Sequence, residues 1–248
     1  MYKIAVIIQA RLNSTRLPNK ILLPISDCQN VTLIQYMVDR LKKKLDIPII
    51  IAIPDNIEND KLAEHLELKK IDFYRGPQDD VLYRYLIGAK NYDLDVIIRL
   101  TSDCPLVDPY LVNEMLEYFL EKKVDYLSNT TPPEKSTFPD GSDIEIFSRH
   151  ALEKANKETF DKKYREHVTF QFWDGQHKYT NKLYKQKLSY SHLRYTIDNK
   201  EDYELFLKLY DKLLKNQNFV SFENIQEYLN KNKSLQKINS KYKPGDNW

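Results

Sequence analysis

The chain has 248 residues, with 38 Lys plus Arg against 36 Asp plus Glu and a formal charge of +2. That length can bury a core without staples, and so even a charge balance argues against bulk nucleic-acid or membrane electrostatics as the main business. The two cysteines, Cys28 and Cys104, have neither metal-ligand nor redox spacing, which fits a reducing compartment, the cytoplasm, rather than a disulfide framework.

The stretch 4–8 (Ile-Ala-Val-Ile-Ile) follows the N-terminus without a signal-peptide pattern and is too short to span a bilayer. It reads as a buried first strand. Further β-branched runs at 47–53, 96–98 and 124–127 alternate with helix-like patterns at 32–45, 57–66, 80–90 and 109–120. Near-continuous apolar runs suit strands covered on both faces, and the β-α-β-α order predicts an α/β fold with a doubly wound, mostly parallel sheet. Asp108 before Pro109 is the expected N-cap of the 109–120 helix. Residues 129–141 are rich in Pro, Thr and Asp and read as a loop leading to an inserted or edge element. After it, 143–147 alternates as an exposed-face strand would, 149–157 and 164–173 look helical, 192–197 reads as a strand and 200–214 as a helix. The expected organisation is a single domain over 1–230, with an insert at about 129–190 and a loosely packed tail over 231–248.

In open α/β sheets, ligands bind outside the carboxyl ends of the strands. The segment directly after the first strand, Gln9-Ala10-Arg11-Leu12-Asn13-Ser14-Thr15-Arg16-Leu17-Pro18-Asn19-Lys20, lies there. Arg11, Arg16 and Lys20 can neutralise phosphate oxygens, and Ser14, Thr15 and loop amides can hydrogen-bond them. Neither a Walker A pattern nor Gly-x-Gly-x-x-Gly is present, and a chain with only five glycines has little room for a glycine-rich phosphate cradle. A solvated basic loop is the bland alternative; position after the first strand favours phosphate binding. Asp103, just past the 96–100 run, and Asp198, at the end of 192–197, are carboxylates of the kind that hold Mg²⁺ with substrate phosphates, or else helix caps.

The loop resembles the signature segment of the sugar-nucleotide cytidylyltransferases, the superfamily of CMP-3-deoxy-manno-octulosonate and CMP-sialate synthetases, and within it the spore coat polysaccharide branch. Three further blocks resemble the family in order: Arg99 to Pro109; Phe138 to Glu145 with Arg165 to Thr169; and Leu193 to Asp198 with Glu201-Asp202. The resemblance implies a nucleotide-diphospho-sugar transferase fold and transfer of CMP from CTP to an acidic sugar or sugar-like acceptor. It further implies a nucleotide site at Gln9, Ala10, Arg11, Ser14, Thr15, Arg16, Lys20, Thr101 and Asp103, with Arg11, Arg16 and Lys20 catalytic. Mg²⁺ would be held by Asp103 and Asp198. Acceptor contacts are expected from Asp143, Glu145, Arg165, Glu166 and His167, with Arg165 the candidate for an acceptor carboxylate; the alternatives are solvated edge charges for Asp143 and Glu145, and ion pairs linking helix and sheet for Arg165, Glu166 and His167. The family's usual glycine after Arg-Leu-Pro is Asn19 here, a residue that tolerates left-handed backbone. A homodimer is plausible by the same resemblance. The competing expectations are a nucleotidyltransferase for a sugar-1-phosphate or phosphorylated alcohol, a glycosyltransferase, and a non-catalytic nucleotide-binding module. Nucleic acid is not an expected partner, because the eighteen tyrosines are not aligned with basic residues.

Overall fold

The structure is a computed structural model that describes residues 2–26 and 29–243. Its strands are β1 (Ile4–Gln9), β2 (Pro24–Ser26), β3 (Gln29–Thr32), β4 (Ile49–Pro54), β5 (Phe73–Gly76), β6 (Val96–Thr101), β7 (Tyr126–Ser128), β8 (Glu145–Ser148) and β9 (Asn181–Leu183). Its helices are α1 (Leu33–Lys42), α2 (Asp60–Leu68), α3 (Val81–Asn91), α4 (Pro109–Lys122), α5 (Arg149–Glu158), α6 (Lys162–His167), α7 (Phe170–Trp173), α8 (Lys200–Leu209), α9 (Phe222–Lys231) and α10 (Lys233–Gln236). Seven strands form one sheet in the order β5-β4-β1-β6-β8-β7-β9, and β2 and β3 form a separate antiparallel pair.

The central strands are parallel, with Gln9 level with Ala52 of β4 on one side and Thr101 of β6 on the other. Their carboxyl ends therefore open at one edge. Alternate residues serve opposite faces: Val6, Ile8, Ile51, Ile53 and Ile98 pack with α1, α2 and α4, while Ala5, Ile7, Ile50 and Ile97 pack with α3 and α5. Burying each such Val or Ile side chain contributes about 1.5–3 kcal/mol. The caps are conventional: Thr32, Asp80, Asp108 and Ser148 each accept a backbone N–H in the first turn of the helix that follows. Asp108 also accepts from Phe222 N at 2.7 Å, docking α9.

Several expectations are corrected. The strand expected at 143–147 begins at Glu145 and is buried rather than exposed, because β8 lies between β6 and β7, antiparallel to both. The region past 129 thus supplies interior sheet, not only an insert. No strand forms at 192–197, which makes one isolated bridge from Arg194 to Asp140. The helix expected at 164–173 is two short helices, interrupted at Val168, whose φ is 55°. The tail is packed at least as far as Asn239: Leu235 is buried among α8 and α9 residues, and Asn239 Nδ2 donates to Asp202 Oδ1 at 2.8 Å. Cys104 is a buried free thiol; Cys28 lies outside the described residues. No helix of the described residues is long and apolar enough to cross a membrane.

Candidate active site

A cleft of about 440 Å³ opens at the carboxyl ends of β1 and β6. Gln9 enters it from the end of β1, and Ala10, Arg11, Ser14, Thr15, Arg16 and Lys20 from the loop that follows. Leu12 pins that loop, because its side chain is buried and its N–H donates to Asn59 Oδ1 at 2.9 Å. The chain then doubles back, with Asn19 N donating to Leu12 O at 3.2 Å. Asn19 takes φ 55°, ψ 23°, so asparagine supplies the left-handed turn. Ile21 is buried in the short helical turn Lys20–Leu22, and this anchors the base of Lys20 at the cleft floor.

Lys20 is 8% exposed. Its three ammonium protons meet three acceptors: Asp198 Oδ1 at 2.9 Å, Asp103 Oδ2 at 3.2 Å and Ile197 O at 2.9 Å. Burial alone would lower the lysine pKa, but the charges of Asp103 and Asp198 outweigh it and hold it raised. Burial would likewise raise Asp103, and Lys20 together with a Thr101 hydrogen bond overrides that, keeping the carboxyl well below the ordinary range.

Asp103 and Asp198 are joined without a shared strand. Ile197 N donates to Asp103 O at 2.8 Å and Thr196 Oγ1 to the same oxygen at 3.2 Å, so the turn after β6 and the 196–198 segment are hydrogen-bonded edge to edge. On the other side, Tyr195 N donates to Asp140 O at 2.8 Å and Thr196 N at 3.2 Å. Gly141 allows that approach: at φ +108°, a Cβ there would sit 2.3 Å from Thr196 N. Arg194 completes the assembly, pairing with Asp140 and, at 3.1 Å, with both Asp198 and Asp202. Arg16 Nη2 reaches Asp198 Oδ1 at 3.1 Å.

The expected acceptor residues divide. Asp143 lines the cleft, where Gly141 N donates to it at 2.9 Å and burial raises its pKa. Glu166 and His167 line it from α6. His167 stacks on Phe170, with centroids 4.3 Å apart and planes 5° from parallel, and burial lowers its pKa, so it is neutral at pH 7. Glu145 is not a lining residue. It precedes the cleft floor as a 1% exposed partner of Arg99 and Tyr126, and it reaches the cleft only through Arg99. Arg165 is also drawn away: its guanidinium holds Asp80 at 2.6 Å, Asn156 Oδ1 at 2.9 Å and Thr159 O at 2.9 Å, tying α6 to the N-terminus of α3.

Sequence reasoning missed Arg84, Arg99, Asp140 and Phe170 as lining residues. Arg84 was detectable as a lone cation inside the apolar stripe Val81, Leu82, Tyr85, Leu86. It is 1% exposed; Nη2 donates to Gln78 O at 3.1 Å, while Nε and Nη1 meet no acceptor among the described residues.

A parallel sheet whose strand ends present a cationic loop, two converged carboxylates and a deep polar cleft defines a nucleotide-handling transferase site. The cytidylyltransferase family model matches residues 5–240, and the chain belongs to that family; it is a nucleotidyltransferase. It is 30% identical over 220 residues to the spore coat polysaccharide biosynthesis protein SpsF of Bacillus subtilis, covering 86% of this chain and 88% of that protein. A cytidylyltransferase structure from Leptospira borgpetersenii superposes with TM-score 0.87 at 33% identity, covering 95% of this chain and 97% of that one. A CMP:2-keto-3-deoxy-manno-octonic acid synthetase solved with CTP shares the fold, with TM-score 0.65 at 14% identity over 85% of this chain and 99% of its own.

Proposed function

We propose that this chain transfers CMP from CTP to an acidic sugar or sugar-like acceptor and releases pyrophosphate, serving surface polysaccharide or glycoconjugate synthesis in the cytoplasm, as a homodimer. The observation that carries the reading is the meeting of Lys20, Arg16, Asp103 and Asp198 at one point of the cleft. Cations there can turn to a triphosphate, and carboxylates can take a divalent ion. The relatives named for spore coat polysaccharide and for a keto-deoxy acid support the class of acceptor.

The donor set suits Mg²⁺, which is commonly held by one or two carboxylates with phosphates and water completing its shell; Asp103 and Asp198 are two carboxylates that meet in the cleft. Asp103 and Asp198 would hold it, and it would supply charge neutralisation of the phosphates and a lowered pKa for the attacking hydroxyl. Arg11, Arg16 and Lys20 would orient the triphosphate and stabilise the departing pyrophosphate, since this chemistry depends on positioning and charge more than covalent help. Arg84 lines the cleft without an ion pair among the described residues and offers a counter-charge to an anionic acceptor. His167, neutral and flat against Phe170, offers a hydrogen bond and a stacking surface.

The test is pyrophosphate release with each nucleoside triphosphate and Mg²⁺ against a panel of ulosonic acids and sugar phosphates. Release that requires CTP and an acidic acceptor, and is lost in Asp103→Asn, supports the reading. Turnover only with neutral phosphorylated alcohols would replace the acceptor class. A mass near twice 29.6 kDa by light scattering is the expected result for the dimer.

A further inference from the structure

Lys20 lies between the two carboxylates proposed to hold the divalent ion. Its ammonium bridges Asp103 Oδ2 and Asp198 Oδ1 at 3.2 and 2.9 Å, and the third proton is committed to Ile197 O at 2.9 Å. A Mg²⁺ ion takes its oxygens at about 2.0–2.1 Å, so an ion seated between these two oxygens would overlap the ammonium that now bridges them. The charge balance says the same. The two carboxylates carry two negative charges, and Lys20 and Arg16 bring two positive charges to them. Arg194 adds a third, pairing with Asp198 as well as with Asp140 and Asp202. A divalent ion would therefore enter against cations already paired with both carboxylates.

We propose that Lys20 is a placeholder cation: it holds the Asp103–Asp198 pair together and yields it to the divalent ion when a triphosphate arrives, so that metal binding depends on nucleotide. The side chain is built for such an exchange. Ile21 and the turn Lys20–Leu22 fix its base, while the four-carbon stem lets the head swing. Arg16, with its side chain 44% exposed, can leave Asp198 by the same route. The triphosphate supplies the negative charge that both cations then follow. The role rests on the proposed cytidylyl transfer and adds to it an order of binding, nucleotide with or before metal.

The test uses Mn²⁺ as probe, with free ion measured by electron paramagnetic resonance and no nucleotide present. Wild-type protein is expected to bind Mn²⁺ weakly, and Lys20→Met to bind it about tenfold tighter or more, since one full charge next to the ion is removed. Adding Asp103→Asn to Lys20→Met should abolish the gain, which places the ion at this pair. Thermal unfolding gives a second reading: Mn²⁺ should raise the Tm of Lys20→Met and leave the wild type unmoved. If Lys20→Met folds poorly, Lys20→Gln removes the same charge and keeps a hydrogen bond. Equal Mn²⁺ affinity in wild type and both variants would overturn the proposal. So would tight nucleotide-independent Mn²⁺ binding by the wild type. Failure of the cytidylyl-transfer reading would appear instead as absent CTP turnover, with the Mn²⁺ comparison unaffected.

Discussion

Arg194→Met should unsettle the acidic side of the cleft more than any single cation elsewhere in the molecule. The arginine side chain is 3% exposed and meets three carboxylates whose own exposures are 12%, 9% and 0%, for Asp140, Asp198 and Asp202. Asp202 in turn accepts from Asn199 N at 2.9 Å and Asp198 N at 3.1 Å, fixing the entry to α8. Burial would lower the arginine pKa, but the Asp202 hydrogen bond and the surrounding carboxylates outweigh it and raise it, so the guanidinium stays charged throughout the working range. Methionine keeps most of the stem volume and removes the charge. Stripping one partner from a buried ion pair costs about 3–5 kcal/mol, which for a domain of this size corresponds to a fall in Tm of about 6–20 °C. Urea unfolding followed by far-UV circular dichroism at pH 7 measures the loss. Part of it should return near pH 4, where the orphaned carboxylates take up protons. Arg194→Lys should recover only part, because an ammonium lacks the planar fork that serves several carboxylates at once. A loss below about 1 kcal/mol would refute the reasoning, since it would mean the carboxylates tolerate burial without their cation.

Gly141→Ala should cost about 1–3 kcal/mol from backbone strain alone, and more from its collision with Thr196 N; unchanged stability by calorimetry would contradict the packed loop. Arg165→Met should lower Tm by a few degrees while leaving the KM for CTP within about twofold, because the residue secures α6 to Asp80; a rise in acceptor KM at unchanged stability would restore it as an acceptor ligand. For the Lys20–Asp103 pair the signs differ at the two ends of the pH scale. Asp103 is depressed, so its contribution is present above the ordinary carboxylate range, about pH 4, and is lost as pH falls through its lower native value. Lys20 is raised, so its contribution is complete below the ordinary lysine value, about 10.4, and is lost as pH rises through the native one. The stability gap between wild type and Lys20→Met should therefore be flat from about pH 5 to 9; a slope there would contradict the assignment.

The parallel half of the sheet was legible because its strands are apolar on both faces and its helices carry ordinary caps, as at Thr32, Asp80 and Asp108. Short strands with polar content were not. Phe73–Gly76 and Asn181–Leu183 have too few residues for a period to show, and they exist because a neighbouring strand edge needs pairing. Alternation at 143–147 suggested an exposed face, but Glu145 is buried by an arginine that only the register with Arg99 brings opposite it. The phosphate loop could be read from its position and donors, whereas the swap of Arg165 for a structural role depended on Asp80, 85 residues away. The tail after Lys231 reads as loose because of its Lys, Asn and Ser content; the value of Asn239 to the fold lies in satisfying Asp202 and Arg194 O, which no local pattern reveals.

The most direct test of cytidylyl transfer is the mass of the product formed from CTP and an acidic sugar. An acceptor heavier by one cytidylyl group, CMP less water, formed with one pyrophosphate and lost with Asp103→Asn, is the predicted result. Nucleoside diphosphate and a phosphorylated acceptor in its place would contradict the account.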